Sequence, residues 1–361
     1  MSGSLVQLVS QGIQDVHLLT GNLANSIFTA RYKKHTPFSQ NAKQLEIVGN
    51  IAPGGTSEVE IVKSGDIVNH MWLEGENLLD YMAGTEFELY MGGKLIDTQS
   101  FEYITEIWPI YLAETKVKST CLNNRISSTD KNFFPLHFFF CDNGMFLPLV
   151  GMQYHKVEIR IKWGPVAPVG VKVYGNYIFL DTPERTKFAE SNMDMLITQV
   201  QSTQHTATDN TSTKLDISTI NHPVKAMWFG QPALSGAVAS DFFTFDNLSM
   251  YLNGQVKVDT MSPHYFHTVQ GYYHTQNALV NFTNIEKTPF YTRFFMYSFA
   301  DDASEYNPTG SCNFSRLDTA ILNISNISRA AAKQNLPIYV YALNYNILRV
   351  REGLTGILFS N

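Results

Sequence analysis

His264, His267 and His274 lie close together and are the residues whose type and spacing come nearest to a metal site. Metal-binding imidazoles need a fixed geometry and usually a carboxylate or thiolate beside them. On a β segment, side chains three apart point to opposite faces, so His264 and His267 are expected to serve structure or an interface. Cys121, Cys141 and Cys312 are odd in number and form no C-x-x-C pair. They read as buried, inert thiols in a reducing compartment, not as a disulfide framework or a zinc site. Cys312 sits beside Asn313 with no histidine base at a suitable spacing for nucleophilic chemistry. The chain has no G-x-S-x-G elbow, no G-x-x-x-x-G-K-S/T phosphate loop and no H-E-x-x-H helix. No catalytic, cofactor-binding or metal residue is therefore assigned, no cofactor is expected, and the protein is expected not to be an enzyme. Asn210, Asn247, Asn281, Asn313, Asn323 and Asn326 begin N-x-S/T triplets. Such triplets arise readily in a β protein rich in Asn, Ser and Thr, and no secretory signal precedes them.

The elements that must carry these residues are mostly strands. Val157, Ile159, Ile161 and Trp163 alternate with charged residues, which predicts a strand with those four facing a core. Gly175-Asn176 between two apolar runs predicts a two-residue hairpin. Asp181-Thr182-Pro183-Glu184 breaks the pattern with an N-cap, an early Pro and a first-turn acid, so a helix is expected there. The polar stretch from Ser202 to Thr213 then reads as a linker. After Asn221-His222-Pro223-Val224 the β pattern resumes to the end, with a long apolar strand from Ile338 to Val350 interrupted by Asn344 and Asn346. Leu5, Leu8, Val9, Ile13, Val16 and Leu19 fall near a helical period before Thr20-Gly21-Asn22. The expected organisation is an N-terminal helical segment over 1–22, a β domain over 23–181, helix and polar linker over 182–220, and a second β domain over 221–361.

One phrase occurs in both β domains. Tyr90-Met91-Gly92-Gly93-Lys94-Leu95-Ile96-Asp97-Thr98-Gln99-Ser100 returns as Tyr251-Leu252-Asn253-Gly254-Gln255-Val256-Lys257-Val258-Asp259-Thr260-Met261-Ser262, with one residue inserted before the second Asp-Thr. The distance between copies is too long for a solenoid or propeller and implies one architecture used twice. Gly92-Gly93 and Asn253-Gly254 predict tight type I′ hairpin turns, whose central residues both need positive φ.

Composition narrows the function classes. The 361 residues carry 24 Phe and 18 Tyr, but only 16% are charged, a balance that favours strands and large buried contacts. A net charge of −6 offers no basic excess for specific nucleic-acid binding. The run Arg31-Tyr32-Lys33-Lys34-His35 is the most basic patch and reads as a solvated or subunit-facing strand. No apolar run approaches the roughly 20 residues that span a bilayer.

Several phrases together resemble the major capsid protein of the nucleocytoplasmic large DNA viruses, in that family's order. They are Leu19-Thr20-Gly21-Asn22 with Tyr32-Lys33-Lys34-His35-Thr36-Pro37-Phe38, then Phe134-Pro135-Leu136-His137-Phe138-Phe139-Phe140-Cys141, and Leu147-Pro148-Leu149 with Gln153-Tyr154-His155-Lys156-Val157. Leu180-Asp181-Thr182-Pro183-Glu184-Arg185 lies between the halves. Asn221-His222-Pro223-Val224-Lys225, the segment Pro308 to Asp318, and Asn344-Tyr345-Asn346-Ile347-Leu348-Arg349 follow. The resemblance implies an all-β fold of two consecutive eight-stranded antiparallel jelly rolls joined by a short helix. It further implies homotrimeric, pseudo-hexagonal capsomers that tile the icosahedral shell of a double-stranded DNA virus over an internal membrane. Partners would be the chain itself, neighbouring capsomers and minor capsid proteins. The expected location is the virion capsid, with synthesis and assembly in the host cell cytoplasm and no secretion. Two alternatives stand beside it: a minor capsid or sugar-binding double-sandwich module, and a glycan hydrolase on a jelly-roll scaffold.

Overall fold

The computed structural model describes residues 12–13, 35–121, 132–142, 144–207, 210–234, 242–276 and 293–359. The chain forms two compact units, Met1–Pro37 and Phe38–Asn361. The first lies almost wholly outside the described residues, and with it the expected N-terminal helix and most of the basic run ending at His35.

The second unit contains two sets of strands. The first set comprises β1 (Phe38–Leu45), β2 (Ile47–Gly49), β3 (Thr56–Glu60), β4 (Ile67–Glu74), β5 (Glu86–Met91), β6 (Lys94–Ser100), β7 (Phe133–Pro135), β8 (Val157–Lys162) and β9 (Lys172–Leu180). One sheet runs β1-β9-β4-β7 and the other β2-β3-β8-β5-β6, with every pairing antiparallel. The second set opens with β10 (Met193–His205), β11 (Ser212–Asp216), β12 (Pro223–Gly230), β13 (Phe243–Thr244), β14 (Asn247–Leu252) and β15 (Gln255–Met261). It closes with β16 (Phe294–Ser298), β17 (Cys312–Asn313), β18 (Ala320–Ser325), β19 (Ser328–Arg329), β20 (Ile338–Arg351) and β21 (Leu354–Ile357). Its main sheets run β10-β20-β12-β16 and β11-β18-β14-β15. With the short accessory strands set aside, each set has eight strands in one order. The first strand neighbours the eighth, then the third and sixth; the second neighbours the seventh, then the fourth and fifth. That is the jelly-roll order, made twice.

Side-chain alternation builds each roll. Val157, Ile159 and Ile161 on β8 and the following Trp163 all face the first core, as their spacing predicts, and the Trp163 indole donates to Ser57 Oγ at 2.8 Å. Leu215, Met227, Phe229, Leu248, Phe295 and Val340 fill the second core. The helix appears at Thr182–Glu190, capped by the Asp181 carboxylate, which accepts from Thr182 N. Arg185 on this helix pairs at 3.0 Å with buried Asp66, which also accepts from Leu180 N.

Three expectations are corrected. Residues 171–180 form no hairpin: β9 is one strand through Gly175 and Asn176. Gly175 faces the core, where an added Cβ would touch Tyr177, Leu45 and Met71, while Asn176 donates to Gln40 and Asn69 on the other face. The region 182–220 is not helix and linker alone, because 193–205 and 212–216 are β10 and β11 of the second roll. Their exposed polar residues alternate with buried or half-buried ones, so low hydropathy there marks half-covered strands. The strand at Ile338–Arg351 is unbroken, because Asn344 and Asn346 find polar partners on β10.

Candidate assembly surfaces

The repeated phrase forms two equivalent hairpins, β5–β6 and β14–β15. Gly92 (φ 58°), Gly93 (φ 79°), Asn253 (φ 49°) and Gly254 (φ 74°) take the left-handed conformations that the type I′ reading requires. In β5–β6 the register slips once, between Leu89↔Asp97 and Tyr90↔Leu95. In β14–β15 it slips at the matching place, between Met250↔Val258 and Tyr251↔Val256, and again before Leu248↔Met261. The inserted residue is absorbed as the second bulge. Asp97 is therefore matched in space by Val258, not by Asp259.

The reason for an acid at Asp97 lies in the other roll. Asp97 is buried, and its Oδ1 accepts from Val200 N on β10 at 2.8 Å while Oδ2 accepts from Gln99 at 2.9 Å. The Gln199 amide donates to Ile96 O beside it. The edge of the first roll at β6 thus meets the edge of the second at β10. Burial pushes the Asp97 carboxyl up to about 6, against the pull of its hydrogen bonds.

Aromatic residues extend this junction. After β6 the chain turns into a π-helix, Tyr103–Leu112, buried along its length. Tyr103 meets Trp228 edge-on at 6.3 Å and lies 5.9 Å from Tyr341, and Tyr111 donates to Phe294 O at 2.8 Å. Ser100 Oγ is 2.9 Å from Tyr341 OH. Glu106 pairs with Arg293 at 3.5 Å, both buried, and accepts from Ala233 N at 2.8 Å. β12, β16 and β20 are consequently covered on both faces: Val224, Met227, Phe295 and Val340 point into their own roll, whereas Ala226, Trp228, Phe294 and Tyr341 join the core of the first. A small cavity of about 50 Å³ lies at the junction, with Gln99, His137, Asp142, Lys225 and Tyr306 in its wall. Burial raises Asp142 to about 7 and lowers Lys225 to about 8.

The residues singled out in the sequence fall elsewhere. His264 lies in the helical turn just before the π-helix Tyr265–Val269, His267 lies within it, and His274 ends the helix Gln270–His274 with Nδ1 3.0 Å from Asp301 O. The segment is helical, so the argument from opposite strand faces does not apply to His264 and His267. Among the described residues, no cluster of three or more His, Cys, Asp or Glu could hold a metal. Cys141 and Cys312 are half-buried free thiols, both raised by burial. The side chain of Cys121, and Asn281, lie outside the described residues. Asn210, Asn313 and Asn326 are exposed, and their side chains accept from Arg329, accept from Ser315 N and donate to Asp246, respectively.

A second repeat went unread in the sequence. Val68-Asn69-His70-Met71-Trp72 on β4 and Val224-Lys225-Ala226-Met227-Trp228 on β12 share Val, Met and Trp at the same spacing. Each strand slips register just after its Val. Trp72 pairs across the sheet with Tyr174, as Trp228 does with Tyr341. The shared Val-x-x-Met-Trp was the available signal.

Two jelly rolls of one strand order, abutting within one chain, define the fold class: a double jelly roll. The family model described as large eukaryotic DNA virus major capsid protein matches residues 184–356, and that of the major capsid protein N-terminus matches 26–107 and 77–181. The chain is 30% identical to the major capsid protein of Pyramimonas orientalis virus and 28% to that of Paramecium bursaria Chlorella virus 1, each alignment covering 100% of both chains. Its fold matches a chain of the PBCV-1 virus capsid with a TM-score of 0.78 at 22% identity, over 93% of this chain and 100% of that one. It also matches the Faustovirus major capsid protein with a TM-score of 0.70 at 10% identity, over 94% of each. The chain belongs to the major capsid protein family of the large eukaryotic DNA viruses, whose members are structural components of the virion shell.

Proposed function

We propose that this chain acts as a homotrimeric capsomer of pseudo-hexagonal outline that tiles an icosahedral shell, without catalysis. The observation that carries this reading is the pair of rolls with identical strand order, packed side by side within one chain. Six similar rolls around an axis are then supplied by three chains, and fewer association steps lose less translational and rotational freedom. Such tiles would meet neighbouring capsomers and minor capsid proteins over an internal membrane, after assembly in the host cytoplasm. Purified protein is expected to be a trimer by light scattering and a hexagonal tile in negative stain. A monodisperse monomer at micromolar concentration sinks the proposal.

A further inference from the structure

The junction inside the chain has two sides, and the fold carries a second copy of each that the other described residues leave exposed or half-exposed. One side is β6 with its following helix; its counterpart in the second roll is β15 with the helical segment 263–274. Both π-helices begin three residues after the matched Ser100 and Ser262, at Tyr103 and Tyr265. The next residues, Ile104 and Phe266, are each fully buried in the core of their own roll. Counting onward, Tyr111 corresponds to Tyr273. Tyr111 is 2% exposed against the second roll, whereas Tyr273 is 69% and the adjacent Tyr272 75% exposed.

The other side of the junction is the outer face of β10-β20-β12-β16, whose counterpart is the outer face of β1-β9-β4-β7. Cross-strand register fixes the correspondence: Trp72 and Tyr174 match Trp228 and Tyr341, and Phe133, opposite Glu74, matches Phe294, opposite Gly230. Trp228 is fully buried, while Trp72 and Tyr174 are stacked at 5.6 Å and only half-buried. A cavity of about 330 Å³ opens beside Trp72, with Phe133 and Pro135 in its wall. The edge strands show the same contrast: on β10, Ile197, Gln199 and Val200 are buried, whereas β1 is exposed from Ser39 to Gln44. An edge of that length, not paired by any described strand, is one that folded proteins normally protect.

We propose that copies of this chain join head to tail by repeating the internal junction, with Tyr272 and Tyr273 of one copy seated on Trp72, Tyr174 and Phe133 of the next. The partner is a second copy, because among the described residues it is the helix of one roll that fits the outer face of the other. The proposal rests on the trimer reading and adds the residues that make its seam. One difference follows from the bulge: Val258 replaces Asp97, so the seam between copies lacks the carboxylate that grips β10. It therefore relies more on the aromatic contact than the internal junction does.

The test uses the full chain. Tyr272 and Tyr273 are replaced together (Tyr272→Ser, Tyr273→Ser), and association is followed by sedimentation across micromolar concentrations. Aromatic anchors at interface centres dominate affinity, so the concentration of half-dissociation should rise by at least about 30-fold, with the circular dichroism spectrum unchanged. In parallel, a benzophenone photocrosslinker replaces Tyr273 in a mixture of isotopically light and heavy chains. Crosslinks from light to heavy chains that land on the peptides of Trp72 or Phe133 support the seam. A wild-type trimer whose double variant associates equally well, with crosslinks elsewhere, overturns the seam and leaves the trimer standing. A wild-type monomer overturns both. If the double variant misfolds, the crosslink map decides.

Discussion

At the scale of residues, Asp97 shows how one position can be written by the partner roll. Its carboxylate is buried, and burial outweighs three hydrogen bonds to lift its titration to about 6, above the unfolded value of 3.8. For an acid raised in the folded state, protonation favours folding. The stabilisation is full below the unfolded value and is lost as pH rises through about 6. Asp97→Asn should remove this dependence. The wild type should gain roughly 2 kcal/mol more than the variant between pH 7 and pH 4, read from urea unfolding at each pH. Equal pH slopes for the two proteins would show that Asp97 is not held as described. The acid was visible in the repeated phrase, but its purpose was not, because its partner Val200 lies 103 residues away.

Elements were more legible where local chemistry alone decides them. The hairpins at Gly92-Gly93 and Asn253-Gly254, the helix behind Asp181 and the alternating strand β8 all follow from neighbours in sequence. The two glycines of the first turn are not equivalent. Gly93 has open space around its missing Cβ, whereas a Cβ on Gly92 would meet the His155 ring at 2.7 Å. That imidazole accepts from Thr355 N at 3.0 Å and has little freedom to move. Gly93→Val should cost about 1–3 kcal/mol for its positive φ. Gly92→Val should cost more, from the same strain plus the clash, and a thermal melt ranks the two. The reverse order would mean that the turn is placed wrongly. Elements were misread where a distant strand sets the environment: Gly175-Asn176 looked like a turn because nothing nearby reveals Met71 or Asn69, and the polar strands β10 and β11 looked like a linker.

For the whole molecule, the first core does not stop at the end of the first roll. It continues through Tyr103 and Trp108 into Trp228, Phe294 and Tyr341. Rolls that share a core cannot unfold separately without exposing that surface, so Phe38–Asn361 should melt in a single cooperative transition. Calorimetric and van't Hoff enthalpies should agree. Two resolved transitions would show that the junction contributes little. The sequence by itself determined that the chain is β-rich, that it uses one architecture twice, and, through phrases spread over its length, which family it belongs to. These rest on periodicity, turn chemistry and repeated words, all of which are short-range. Only the tertiary structure decided which faces of the two rolls meet and why Trp228 is fully covered while Trp72 is half-buried. Those outcomes depend on residues far apart in the chain, and no local pattern distinguishes a face buried by its partner roll from the equivalent face left open.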